Sequence, residues 1–402
     1  MDPRDNPYTP NAGARPPLLV GRDDQLTTFD VLLTRLERGH TEQSMIITGL
    51  RGVGKTVLLG EFRAKAEDRG WATVEAEITK NVDFGPTMAQ HVRRALLQLA
   101  PRAKWADRAR RAASVLRSFS LTVNPSGVIT ATFDVDAAEG LADSGNLRDD
   151  LSDLFVALGE AARAHESGVV FLFDEVQYLR LEELEALIAA LHKTVQRGLP
   201  ITLVGAGLPQ IPRLAGEAKS YAERLFKFPD IGALPFSEAA EAVAAPAREL
   251  GVDFEPAAIQ AIVDYTQGYP YFLQEYGKIV WDEAHTSPIT AADVETARPL
   301  VEAKLDGSFF RVRAERTTEL ELQYLRAMAE LGPEPQKASD VAKVLRRTSE
   351  QLGPTRSRLI EKGLLFTPGY GLAAFTVPQF DRYMIRNHQL VVTPPQRRRK
   401  KA

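Results

Sequence analysis

Gly49 to Thr56 read Gly-Leu-Arg-Gly-Val-Gly-Lys-Thr, the glycine spacing and Lys-Thr ending of a phosphate-binding P-loop. The apolar run Met45-Ile46-Ile47-Thr48 before it predicts a buried strand, and Val57 to Phe62 after it predicts the first turns of a helix. Strand, glycine-rich turn and helix are the context in which backbone N–H groups converge on phosphates, helped by the positive end of the helix dipole. The residues expected to cradle a nucleotide are Gly49, Arg51, Gly52, Val53, Gly54, Lys55, Thr56 and Val57. Lys55 would reach the β- and γ-phosphates, and the Thr56 hydroxyl would ligate Mg²⁺.

This motif needs an acidic strand, and Gly168 to Val176 supply one as Gly-Val-Val-Phe-Leu-Phe-Asp-Glu-Val. Asp174, at the strand's end, is expected to hold the Mg²⁺ shell, and Glu175 to orient the attacking water. A carboxylate pair points to hydrolysis, where a lone acid would point only to binding. Arg224 is the candidate for stabilising charge on the γ-phosphate; it would act on a neighbouring subunit, so the role needs an oligomer. A surface arginine in an ion pair is the plainer alternative, and Arg213 is a weaker competitor.

Strand candidates at 45–48, 72–78, 169–173, 201–204 and 226–231 alternate with helical patterns at 56–69, 87–99, 147–165 and 181–195. That alternation predicts an α/β three-layer sandwich around a parallel sheet over residues 18–235. Alternating residues at 118–124 and 128–134, joined by Pro125-Ser126-Gly127, predict a hairpin. With the preceding basic stretch they form an insertion at about 101–136, either structural or contacting DNA or a partner. Residues 236–308 turn purely helical, with helices at 238–250, 256–266, 271–285 and 291–304, as in a small lid.

The final 309–390 predict three helices, at 319–331, 338–345 and 349–362, the last broken near Gly353-Pro354. A hairpin of 364–367 and 372–377 follows, the pattern of a winged helix-turn-helix. Arg346, Arg347, Arg356 and Arg358 are its candidate DNA contacts, with protein binding as the other use. From Arg311 onward 18 Lys or Arg face 9 Asp or Glu, a balance of +9; the remainder carries 32 against 44, a balance of −12. The end, 391–402, is a basic tail expected to add phosphate affinity.

Composition narrows the chemistry further. The chain has no cysteine, which excludes thiolate chemistry, and its six histidines show no ligand spacing, so no histidine-based metal site is expected. No apolar stretch is long enough to cross a bilayer. Residues 1–17, rich in Pro and Asn, are expected to be a flexible lead-in, and the protein to be cytoplasmic.

Val20-Gly21-Arg22-Asp23-Asp24-Gln25-Leu26 resembles the Gly-Arg-acidic box of signal-transduction ATPases with numerous domains and of their AAA+ relatives, including origin-recognition-type proteins. Gly268-Tyr269-Pro270 is similar to the Gly-x-Pro signature of their lid, and Asp174-Glu175-Val176-Gln177 to the acidic strand of the archaeal-type ATPase group. The resemblance covers about residues 18 to 305. It implies ATP or ADP with Mg²⁺ as ligands, an adenine pocket lined by Val20 and Gly21, and Pro270 pressing on the nucleotide from the lid. Arg22 would anchor the same segment. The end of the fourth strand, Leu203 to Pro209, departs by placing small residues where a polar sensor is usual, and the lid lacks a clear sensor arginine. The expected function is an ATP-binding and ATP-hydrolysing switch that couples nucleotide state to DNA binding or assembly. The alternative is a nucleotide-sensing regulator or scaffold with negligible turnover, whose winged helix binds protein.

Overall fold

The structure, a computed structural model, describes residues 1–11, 13–80, 83–99, 107–124 and 135–392. Two compact units divide the chain: one comprises Gly21–Gly49 and Gly54–Ile231, the other Met1–Val20, Leu50–Val53 and the residues from Gly232 onward.

The first unit runs α1 (Asp23–Glu37), β1 (Ser44–Thr48), α2 (Lys55–Asp68), β2 (Ala72–Glu77), α3 (Phe84–Leu99), α4 (Asp107–Val123) and α5 (Leu147–Ala164). It continues through β3 (Val169–Asp174), α6 (Leu181–Gln196), β4 (Ile201–Gly207), α7 (Ile211–Ala218), α8 (Ala222–Leu225) and β5 (Phe226–Lys227). All five strands pair in parallel, in the order β2-β3-β4-β1-β5. The sheet is buried on both faces, as near-continuous apolar strands require. In β3, Phe171 and Phe173 turn to one face, where Phe155 of α5 stacks on Phe171 with ring centroids 4.9 Å apart. Val170 and Leu172 turn to the other face, by the two-residue period of a strand. This is the α/β P-loop architecture the sequence predicts.

The expected insertion hairpin is corrected over 118–124: residues 118–123 continue α4, and Asn124 follows its end. Their polar–apolar alternation is overridden by the helical period of Ala109, Ala112, Ala113, Leu116 and Phe119, all buried in the core. Pro125 to Asp134, and Lys104 of the basic stretch, lie outside the described residues. Arg108 pairs with Glu160 of α5 at 2.7 Å, so part of that basic character goes into packing. The last strand is also shorter than expected, reduced to β5 plus an isolated bridge between Thr48 and Asp230.

The second unit holds α9 (Phe236–Arg248), α10 (Pro256–Thr266), α11 (Pro270–Glu283), α12 (Ala291–Lys304), α13 (Arg311–Ala314) and α14 (Glu319–Leu331). Then come β6 (Gln336–Lys337), α15 (Ala338–Val344), α16 (Ser349–Glu361), β7 (Leu365–Phe366), β8 (Leu372–Phe375) and α17 (Phe380–Asn387). The three short strands form an antiparallel sheet in the order β6-β8-β7. An aromatic chain, Phe272, Phe309, Phe310, Phe380 and Tyr383, runs from α11 to α17 and holds the helical segment and the C-terminal segment in one body.

Two sequence expectations change here. α16 is not broken at Gly353-Pro354: its Thr348/Gln351 capping box and the burial of Leu352, Thr355 and Leu359 outweigh the one hydrogen bond that Pro354 cannot donate. The N-terminal stretch is docked rather than loose. Tyr8 is buried against Gly277, its hydroxyl donates to the Val243 carbonyl, and Trp281 Nε1 donates to Asp2 O at 3.0 Å. The tail from residue 393 lies outside the described residues.

Candidate nucleotide site

β1 delivers its chain into the P-loop, and α2 begins at Lys55 behind Gly54, which takes φ +93 as only glycine does without strain. The Lys55 side chain is buried, and its Nζ donates to the Gly49 carbonyl at 2.9 Å. Thr56 Oγ1 donates to Asp174 Oδ2 at 2.5 Å, joining the P-loop helix to the end of β3. Asp174 Oδ1 accepts the Glu175 N–H at 2.8 Å. Glu175 itself sits in the left-handed region, φ +56, a conformation that costs a non-glycine residue about 1 kcal/mol or more. Its carboxylate accepts from Gln177 Nε2, and Gln177 Oε1 in turn accepts the Leu208 N–H at 3.1 Å.

These hydroxyl and carboxylate oxygens suit a hard divalent cation. Among the described residues no group of three or more His, Cys, Asp or Glu could cage a metal. An ion here would therefore rest on Thr56, Asp174 and nucleotide oxygens, which is how Mg²⁺ is commonly held. Gly21, with φ +67, accepts from Arg22 Nη1 at 2.8 Å, and Arg22 is buried, so it fixes the segment ahead of α1.

The P-loop apex, Leu50–Val53, clusters with the second unit, as does Val20. The Arg51 N–H donates to the Thr376 carbonyl at 3.1 Å, the Tyr271 N–H to the Gly52 carbonyl at 3.2 Å, and the Tyr269 hydroxyl to the Arg51 carbonyl. Gly52 has no room for a side chain: an added Cβ would lie 3.2 Å from both Tyr269 and Tyr271. Pro270 opens α11 directly between these tyrosines. Burial, and then the neighbouring Arg51 charge, push the Arg313 guanidinium down to about 10 while it stacks on Phe309 at 4.0 Å. The apex is thus a cationic spot.

Residues 18–204 match the family model of the AAA ATPase domain. Residues 307–384 match a model described as a domain of unknown function, DUF8462. Among solved structures, the Walker-type ATPase PABY2304 of Pyrococcus abyssi is similar at TM-score 0.55 and 14% identity, over 92% of this chain and 97% of that one. The Aeropyrum pernix ORC2 protein, solved as ADPNP-ADP complexes, is similar at TM-score 0.53 and 17% identity, over 94% and 96%. At such identities the likeness is one of fold. No curated protein matches the chain. The expected resemblance to AAA+ ATPases is borne out over residues 18–204 by the family match.

The remaining sequence candidates scatter. Arg224 is exposed at the end of α8, where its carbonyl accepts from Gln43 at 3.1 Å; the i,i+4 ion pair belongs instead to Arg213, with Glu217. Arg346 is exposed between α15 and α16, and Arg347 half-buried. Arg356 is spent inside its own domain, donating to the Leu372 carbonyl at 2.5 Å. Arg358 Nε bonds buried Glu321 at 3.0 Å, and Lys362 bonds the same carboxylate at 2.6 Å. Burial alone would raise the Glu321 carboxyl, but hydrogen bonds from Lys362, the Thr318 N–H and Arg358 hold it down at about 2. Tyr269, Thr376 and Gln177 carry no role in the motif reading. Gly52, crowded by Tyr269, and Gly207, crowded by Gln177, are the sequence's signals for two of them; Thr376 has none.

Proposed function

We propose that the chain is an ATP-hydrolysing switch whose AAA domain turns over ATP and whose C-terminal domain, a winged helix by its helices and three-stranded sheet, passes nucleotide state to DNA. The Thr56–Asp174 bond carries the hydrolytic reading, because it joins the two groups that must share one ion. Lys55 would neutralise the β- and γ-phosphates, Val20, Gly21 and Pro270 would enclose the base and sugar, and Glu175 would orient the water that attacks the γ-phosphorus. The bond to the ADP oxygen breaks as the water's proton leaves toward Glu175. Mg²⁺ held through Thr56 and Asp174 would supply positive charge to the phosphate oxygens. Arg224, which is exposed, would serve a neighbouring subunit's nucleotide if the chain assembles.

Support for the DNA arm is the +9 balance from Arg311 onward and the exposure of Arg346. Arg356 and Arg358 hold their domain together through Leu372 and Glu321. The clean test of DNA contact is therefore Arg346→Ala with Arg347→Ala, expected to weaken duplex binding and flatten its salt dependence.

ATPase rate and nucleotide binding in Lys55→Ala and Glu175→Gln test the hydrolytic site. Glu175→Gln is expected to lower kcat about 100-fold or more while still binding ATP, and Lys55→Ala to lose binding. Unchanged turnover in either variant sinks the assignment. The small residues Gly205-Ala206-Gly207 at the end of β4 favour a second reading, a nucleotide sensor without turnover. ATP binding with no hydrolysis in the presence or absence of DNA selects it.

A further inference from the structure

The end of β4 offers no polar side chain of its own, yet the space beside it is filled by one. Gln177, in the turn Val176–Tyr178 that follows the acidic pair, sends its carboxamide across to β4. Its Oε1 accepts the Leu208 N–H at 3.1 Å, and its Nε2 donates to the Glu175 carboxylate. Gly207 is small for a reason visible here: a Cβ on it would come 2.7 Å from Gln177 Oε1, closer than real Cβ contacts allow. The Gly207 carbonyl in turn accepts the Gly49 N–H at 3.2 Å, so the same strand end braces the start of the P-loop. One carboxamide therefore ties together the water-orienting acid and the strand that abuts the phosphate loop.

We propose that Gln177 is a positioning residue for ATP hydrolysis, holding Glu175 in its left-handed pose and replacing, from the neighbouring strand's turn, the polar group that β4 lacks. This rests on the hydrolytic reading above. The chemistry is directional. An amide offers a donor to the carboxylate and an acceptor to the N–H at once, which neither an ionised acid nor an apolar residue can do. Loss of that donor removes one restraint on the left-handed glutamate, and a misplaced base costs turnover rather than nucleotide affinity.

Steady-state kinetics of three variants of the full chain test this. Gln177→Ala is expected to lower kcat 10- to 100-fold with KM for ATP within threefold of wild type. Gln177→Glu keeps the volume and the acceptor for Leu208 N–H but loses the donor, so it separates positioning of Glu175 from tethering of β4. Its kcat is expected to fall at least as far, with the thermal midpoint retained. Gly207→Ala, which pushes on the carboxamide from the other side, is expected to lower kcat by itself and to cost less than threefold more when added to Gln177→Ala.

Wild-type kcat in Gln177→Glu, or a loss confined to KM, overturns the inference and leaves hydrolysis standing. A wild-type chain that binds ATP without turning it over overturns the hydrolytic reading and this inference together.

Discussion

A buried imidazole shows how single side chains set the conditions under which this fold holds. His91 of α3 is packed with its ring 6.0 Å from that of Phe173, and neither ring nitrogen has a hydrogen-bond partner among the described residues. Burial, and then the charge of Arg94, push its pKa down to about 4 from an ordinary 6.5. The folded chain thus refuses a proton that the unfolded chain accepts once the pH drops below 6.5. Stability is full above that value and declines as the pH falls toward 4, by up to about 3 kcal/mol. His91→Leu is expected to flatten the loss of unfolding free energy between pH 6.5 and 4; a slope identical to wild type in denaturant titrations contradicts the account. At this scale the sequence was most legible where chemistry fixes residue type. Lys55, Thr56, Asp174 and Glu175 were candidates from spacing alone, and the structure brings the Thr56 hydroxyl onto Asp174. Gln177 and Tyr269 were not, since their roles come from contacts between segments distant in the chain or from a backbone turn no pattern announces. Arg356 and Arg358 show the opposite failure. Positive charge on a helix was visible, but Glu321, which consumes part of it, is 37 residues away from Arg358.

Elements follow the same logic of local pattern against tertiary context. Helices whose apolar period agrees with their caps, such as α10, α12 and α14, coincide with their sequence ranges. The 118–124 stretch misled because a two-residue alternation and a helical face can share the same buried Phe119. The start of α11 depends on one backbone position. Gly268 has φ +70, its carbonyl accepts the Leu234 N–H at 2.8 Å, and a Cβ there would lie 2.2 Å from the Leu234 carbonyl oxygen. Gly268→Ala therefore meets both a conformational penalty and a backbone clash. The expected loss is about 2 kcal/mol or more, with α11 shifted at Tyr269. Because Tyr269 and Tyr271 hold the P-loop apex, ATP affinity is expected to fall along with the melting temperature. A variant with wild-type melting temperature and ATP affinity shows that the Leu234 contact carries no weight.

At the scale of the molecule, the question is how a phosphate loop could speak to a C-terminal domain. The apex residues Arg51 and Gly52 hydrogen-bond to Tyr269, Tyr271 and Thr376, all within the unit that bears α14 to α17. A nucleotide that reshapes the apex must strain or release those bonds, and any ligand that prefers one arrangement of that unit then prefers one nucleotide state. Linkage makes the effect reciprocal: if ATP in place of ADP changes duplex affinity by some factor, duplex changes the preference for ATP over ADP by the same factor. Coupling of about 1–3 kcal/mol corresponds to roughly 5- to 150-fold. Tyr269→Phe removes one hydroxyl from the apex while keeping the buried ring, so it is expected to shrink the factor with little change in either affinity alone. Equilibrium titrations of duplex against the ATP- and ADP-loaded chain, and of both nucleotides with and without duplex, give the factor twice over. Equal duplex affinity in the two nucleotide states removes the switch from the proposal. A factor that Tyr269→Phe leaves intact moves the coupling away from the apex.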